Sequence, residues 1–236
     1  MKRIGRLFSQ GLQFFKTTIS QLKPSQVRQA FPDGGRHLYQ EKLVDFNIPE
    51  NAQVLDIGSG PTPFQAATIL CDRYIEETVH RRGAIRTRGL PLVVADIHAL
   101  PFANRTFDFV YCAHIFEHID DPIKACSEVM RVGRGGYLET PNFMKDMLFC
   151  QAAHMNHHWH TIAAGTTLFF FEYTSRQLEG IRSSVWHDLI WSSFYHPLQD
   201  VFVENQDLFN TMFLWSNKFD VQVVTKNGEV RRLFER

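Results

Sequence analysis

The stretch Val54-Leu55-Asp56-Ile57-Gly58-Ser59-Gly60-Pro61 decides the reading of this chain. A short apolar strand runs into two glycines one residue apart, and glycine lets a backbone turn sharply and approach a ligand closely. In α/β proteins such a turn sits at the carboxyl end of a sheet strand, where ligands bind. The dinucleotide fingerprint GxGxxG is not met, because Pro63 stands where the third glycine belongs. That argues against a pyrophosphate cradle. Asp56, on the last turn of the strand, would also repel phosphates but suits a cationic ligand. A tight strand-to-helix turn with no ligand is the other reading of this stretch taken alone.

Outward from this turn the chain alternates. Leu92–Ala95, Phe107–Cys112 and Gly136–Thr140 read as apolar strands, and residues 64–70 as a short helix. Asp121 caps a further helix with Pro122 at its first position, running to Arg131 and closing at Gly133. Short apolar strands separated by helices or long crossovers predict βαβ units and a parallel sheet. After Pro141 the pattern changes. Residues 143–153 look helical, and Trp159–Ile162 and Thr167–Tyr173 flank Ala163-Ala164-Gly165-Thr166 as a hairpin. Residues 176–215 read as mostly helical and aromatic-rich, with Phe219–Thr225 as a last strand.

Composition fits a soluble globular protein, at 44% apolar and 21% charged. Residues 1–32 hold six cations (Lys2, Arg3, Arg6, Lys16, Lys23 and Arg28) and no acid, so the rest of the chain carries a net −6. A balanced body has no electrostatic footprint for nucleic acid. Cys71, Cys112, Cys126 and Cys150 form no CxxC pair and read as free thiols in a reducing compartment. No run reaches the roughly 18 apolar residues needed to span a bilayer, and no secretory h-region opens the chain. The expected location is cytoplasmic. Ile4, Leu7, Phe8, Leu12, Phe15, Ile19 and Leu22 fall at helical spacing with cations opposite. This basic amphipathic helix packs on the body, contacts a membrane surface peripherally through residues 1–23, or serves as a transit peptide.

Two acids extend the candidate site. Asp72 lies 16 residues past Asp56, near the interval of about 20 at which a carboxylate meets a ribose hydroxyl pair. Glu76 and Glu77 compete for that role, and a solvated surface acid is the bland alternative. Asp96-Ile97 follows the next strand and pairs a polar group with an apolar one, as an adenine requires.

The runs VLDIGSG, ADIHALPF, FDFVYCAHIFEHIDDP and RVGRGGYLETP, over residues 50–142, together resemble the class I methyltransferases, specifically the methyltransferase type 11 branch. That resemblance implies a Rossmann-like doubly wound α/β sheet of about seven strands, with an N-terminal helix and a C-terminal cap. It implies S-adenosylmethionine as cofactor and methyl transfer as the reaction. The chain then divides into a basic helix (1–32), a cofactor-binding core (33–145) and a cap with edge strands on the acceptor side (146–236). Asp56, Gly58, Ser59 and Gly60 are implied around the methionine part. Asp72 is implied at the ribose, Asp96 and Ile97 at the adenine, and Cys112, Ala113 and His114 beside the methyl group. Thr62 and Pro63 depart from the small residues usual after the second glycine, which stiffens the loop.

Methyl transfer from a sulfonium mainly needs alignment and dryness, and a hydroxyl acceptor needs a base as well. His114 is the first candidate, with His157, His158 and His160 from a second cluster that also holds His154. His118 reads as structural. The second cluster could bind a metal such as zinc or be plain hairpin polar residues, but it lacks a cysteine or a second tight ligand motif, so no metal is assigned there. Arg73, Arg81, Arg82, Arg86 and Arg88 form a solvated loop or an entrance for an anionic substrate. Phe169, Phe170, Phe171, Trp186, Trp191, Phe194 and Tyr195 form a substrate lid or fill the core. The acceptor, expected to be a small molecule, a sugar or lipid-linked, and the oligomeric state are not legible. A cofactor-binding protein that no longer catalyses is the second functional reading.

Overall fold

The structure, a computed structural model, describes residues 36–77, 83–149, 156–183 and 197–234. The amphipathic stretch 4–22, His154, Cys150, Arg81, Arg82 and the aromatics between 186 and 195 lie outside the described residues. In chain order, α1 (Arg36–Leu43) precedes β1 (Val54–Ile57), β2 (Ile69–Asp72), β3 (Leu92–Val94) and β4 (Phe109–Ala113). A 3-10 turn (Phe116–His118), α2 (Pro122–Val132), β5 (Gly135–Pro141) and α3 (Phe143–Phe149) follow. The remainder comprises β6 (Trp159–Ala164), β7 (Thr167–Glu172), α4 (Ser175–Arg182), α5 (Pro197–Glu204), α6 (Gln206–Phe209), β8 (Asn210–Ser216), β9 (Asp220–Val224) and β10 (Val230–Leu233).

Among the described residues the main sheet has six strands in the order β3-β2-β1-β4-β5-β8, parallel except for β8, which pairs antiparallel with β5. The strand order reverses between β1 and β4, and a doubly wound sheet binds its ligand at that switch point, outside the strands' carboxyl ends. A second sheet of four strands, β10-β9-β7-β6, contains the expected hairpin. The expected Phe219–Thr225 strand joins this second sheet, and among the described residues the main sheet counts six strands where about seven were expected.

Period-two alternation sorts the main sheet into two faces. Leu55, Ile57, Val110, Cys112 and Leu138 point to one face, packed beneath α2 and the second sheet with Phe170, Val221 and Val223. Val54, Tyr111 and Tyr137 point to the other, with Phe46 and Phe64. Asp121 caps α2 by accepting from the backbone N–H groups of Ile123 and Lys124, as its place before Pro122 predicts.

Two expected elements are corrected. Residues 64–70 are not a helix, because Ala67 closes a single turn on the Phe64 carbonyl and Ile69–Asp72 is strand β2. Phe64 stacks on Tyr111 at 4.1 Å, and Thr68 Oγ1 accepts from the Val54 N–H at 2.9 Å, so these residues dock on the sheet instead of winding. Residues 210–215 belong to strand β8 rather than to a helix. Phe213 and Trp215, two apart, both enter the core under α2, a spacing that fits a pleat and not a helical face. β10 carried no expectation.

Candidate functional site

At the switch point the loops after β1, β2, β3 and β4 enclose a cavity of about 370 Å³, within the size range of small-molecule sites. Its wall includes Gly58-Ser59-Gly60, Asp72-Arg73, Asp96-Ile97, Ala113-His114 and His118-Ile119. Four stretches far apart in sequence thus meet at one edge of the sheet.

The glycine loop is shaped by what surrounds it. Gly58 has φ +74°, and a Cβ there would lie 2.1 Å from Ile115 Cδ1. Gly58 N–H donates to the Cys71 carbonyl at 2.7 Å and Gly60 N–H to Asp72 Oδ2 at 3.1 Å, tying the loop to β2. Asp56 Oδ2 accepts from the Phe64 N–H at 2.8 Å and Asp56 is 1% exposed, outside the cavity wall. The expectation that Asp56 faces a cationic ligand is therefore corrected: it sits beneath the loop and holds the chain that leaves it. Ser59 lines the cavity, and its enclosed Oγ has no hydrogen-bond partner among the described residues.

Asp72 closes β2 and lines the cavity, its carboxylate fixed by the N–H groups of Gly60 and Tyr74. Asp96 is steered by its neighbours. Its Oδ1 accepts from His98 N–H at 2.9 Å and His98 Nδ1 at 2.6 Å, and its Oδ2 lies 3.2 Å from Arg73. Burial opposes ionisation of Asp96, but the His98 hydrogen bonds and the Arg73 charge outweigh it and hold the carboxyl below its ordinary value. The Asp121 N–H donates to His98 Nε2 at 3.3 Å, which leaves the His98 proton on Nδ1. Sequence reasoning missed His98, although its place two residues after Asp96 is the spacing of a local side-chain turn. Arg73 pairs with Asp96 at the cavity rather than lying in a purely solvated loop.

Along β4, alternation separates neighbours. Ala113 reaches the cavity wall, whereas Cys112 points into the core under α2 and is fully buried, so the expected wall role of Cys112 is corrected. Burial also pushes its thiol well above the ordinary value. His114 follows with φ +60° and lines the cavity. Its Nε2 lies 3.1 Å from Glu139 Oε1 and its Nδ1 3.5 Å from Glu117 Oε1. Both ring nitrogens are directed at carboxylates, so neither lone-pair position is turned to the cavity, which a general base requires.

Glu139 anchors a buried polar network that the sequence did not reveal. It accepts from the Tyr39 and Tyr137 hydroxyls and, at 2.8 Å, from Gln40 Nε2, while Tyr111 donates to Gln40 Oε1. Desolvation raises the pKa of Glu139, but hydrogen bonds and charge from His114, with the two tyrosines, bring it down to about 2.

The second histidine cluster disperses. His157 is buried and its Nδ1 donates to Asp146 Oδ1 at 2.9 Å. His158 is half-exposed, 4.0 Å from Asp120. His160 lies among Phe143, Phe171 and Tyr173, and burial lowers its pKa. None of the three lines the cavity, so the expectation that they supply an acceptor-side base is not carried by their placement. Phe170 fills the core beneath the second sheet rather than serving as a lid.

A family model described as a methyltransferase domain matches residues 55–138, the span that builds this cavity. Over these residues the chain is similar to the methyltransferase domain family. Over 115 residues the chain is 30% identical to the ubiquinone/menaquinone biosynthesis C-methyltransferase UbiE of Bdellovibrio bacteriovorus, covering 44% of this chain and 49% of that one. The chain thus spans about half the length of this curated relative. Among solved structures, a S-adenosylmethionine-dependent methyltransferase of Thermotoga maritima, described as a possible histamine N-methyltransferase, is similar at 17% identity and TM-score 0.39, over 66% of this chain and 77% of that one. A chain from the Haloferax volcanii complex of the Trm112 activator with a putative methyltransferase is similar at 12% identity and TM-score 0.43, over 83% and 93%.

The residues present fit S-adenosylmethionine, the cofactor that the resemblance to methyltransferases implies. A Cβ at Gly58 would meet Ile115, so the loop can come close to a ligand only as glycine. The Ser59 Oγ, unpartnered among the described residues, the Asp72 carboxylate and the Asp96-Ile97 pair supply polar and apolar contacts around one partly open cavity. Among the described residues no helix is long and apolar enough to cross a membrane.

Proposed function

We propose that this chain transfers a methyl group from S-adenosylmethionine to a small-molecule, sugar or lipid-linked acceptor. The observation that carries this reading is the convergence of Gly58-Ser59-Gly60, Asp72, Asp96-Ile97 and Ala113-His114 on one cavity at the strand-order reversal. When bound, the cofactor supplies an electrophilic methyl on a cationic sulfur. In this reading Asp72 takes the ribose hydroxyls and Asp96 with Ile97 flanks the adenine. Ala113 and His114 form the wall beside the methyl group. Ile97, Ile115 and Ile119 keep water from the reacting atoms, and positioning of this kind supplies most of the catalysis such a transfer requires. His114, held on both sides by Glu139 and Glu117, acts as a fixed wall, which favours acceptors that need no proton removed by this ring.

Calorimetry with S-adenosylhomocysteine and with NAD tests the cofactor half. The first should bind and the second should not, and the reverse result overturns the reading. Incubation with S-adenosylmethionine and a metabolite extract, followed by detection of S-adenosylhomocysteine, tests turnover. Binding without turnover on any extract would favour a binding role. The proposed peripheral membrane contact of residues 1–23 rests on their five cations without an acid and is read by liposome sedimentation of the full and shortened chains.

A further inference from the structure

Glu117, His118 and His157 stand close together at the margin of the cavity, and the methyl-transfer reading uses none of them as a reacting group. One ligand atom from each lies within 4.8 Å of the others. A tetrahedral ion with bonds near 2.0–2.1 Å would need its ligands roughly 3.4 Å apart, a closure of at most about 1.4 Å, within reach of side-chain rotation.

Three further features point to a ligand at this spot. Glu117 is 2% exposed, and its Oε2 is enclosed without a hydrogen bond among the described residues. A buried carboxylate oxygen with no partner carries a large desolvation cost unless something cationic meets it. His157 is anchored from outside the cluster: its Nδ1 donates to the buried Asp146, which also accepts from the Tyr173 hydroxyl at 2.7 Å. A ring held at Nδ1 by a carboxylate presents Nε2 as a lone pair, the arrangement that supports metal-ligating histidines. His118 repeats the pattern, with Nδ1 donating to the Asn156 carbonyl at 3.4 Å and Nε2 3.8 Å from Glu117 Oε1. The two imidazole planes meet nearly edge-on, with centroids 4.8 Å apart.

We propose that Glu117, His118 and His157 bind a divalent transition-metal ion of the zinc class, with Asp146 as the outer carboxylate that orients His157. Two imidazoles and one carboxylate form the three-ligand set of open sites, which leaves positions for water or a bound molecule. Because His118 also lines the cavity, the ion sits at its edge. The site stands independently of the methyl-transfer reading.

The test uses the full chain, stripped with a chelator and titrated with Co²⁺ followed by Zn²⁺. One Co²⁺ per chain should bind with visible d–d absorption, Zn²⁺ should displace it, and the melting temperature should rise with metal. Glu117→Gln, His118→Ala and His157→Ala should each weaken binding by at least about 100-fold, and Asp146→Asn by about 10- to 100-fold. His158→Ala, a neighbouring half-exposed histidine outside the set, should leave the titration unchanged. Absence of stoichiometric Co²⁺ and Zn²⁺ binding to the unmodified chain overturns the proposal without recourse to any variant. Unchanged affinity in a Glu117→Gln chain that still binds S-adenosylhomocysteine overturns it as well.

Discussion

The two halves of the cavity are built differently. On the side proposed for the cofactor, Gly58, Ser59, Gly60, Asp72, Asp96 and Ile97 sit at or just past the ends of three neighbouring parallel strands, each within a short contiguous motif. On the other side, His114 is held by Glu139 from β5 and Glu117 from the 3-10 turn, while Glu139 is reached by Tyr39 and Gln40 from α1. The first half is backbone geometry set by local sequence. The second is a network of buried ionisable groups whose members lie up to 100 residues apart. A site of the first kind tolerates change away from its loop, whereas one of the second kind fails when any distant partner is removed.

The largest effect should come from the network. Glu139→Gln leaves the Tyr39, Tyr137 and His114 donors without a charged acceptor and should cost about 3 kcal/mol of stability in urea unfolding. Glu139 has a folded value of about 2 against an ordinary 4.5, so its stabilisation is complete above the ordinary value and is lost as pH falls through the folded one. The gap between wild type and variant should therefore close between those two values. A gap that does not change with pH would mean that the network is held by shape rather than charge.

Gly58→Val tests the backbone half. A branched residue at φ +74°, facing Ile115, should weaken S-adenosylhomocysteine binding by about 100-fold in calorimetry, with a smaller change in melting. Asp56→Asn should act indirectly. It weakens the hold on the Phe64 N–H, so affinity should fall by only about tenfold, and a larger loss would restore a direct contact with the ligand.

The smallest effect belongs to His160, which lies outside both halves. Burial lowers its pKa below the ordinary 6.5, so the unfolded chain binds the proton more readily and stability drops as pH falls through that ordinary value. His160→Phe should remove this part of the acid sensitivity while leaving cofactor affinity unchanged.

The sequence by itself determined the glycine-loop side of the cavity, because its signals are local. A strand ending in Gly58-Ser59-Gly60, an acid at Asp72 and the Asp96-Ile97 pair are each legible within a few residues, and Asp121-Pro122 announces its helix in the same way. Where local signals compete with packing, the sequence failed: residues 64–70 have helical spacing, yet Phe64 stacks on Tyr111 and Ile69–Asp72 pairs with β1. Alternation along β4 settled that Ala113 and not Cys112 meets the cavity, since one step of the pleat reverses the face. Only the tertiary structure brought Glu139 to His114 and Tyr39, and only it set His157 beside Glu117 while turning His160 away. Such pairings depend on which strands lie next to one another, and no spacing along the chain encodes the distance between two side chains that meet across a sheet.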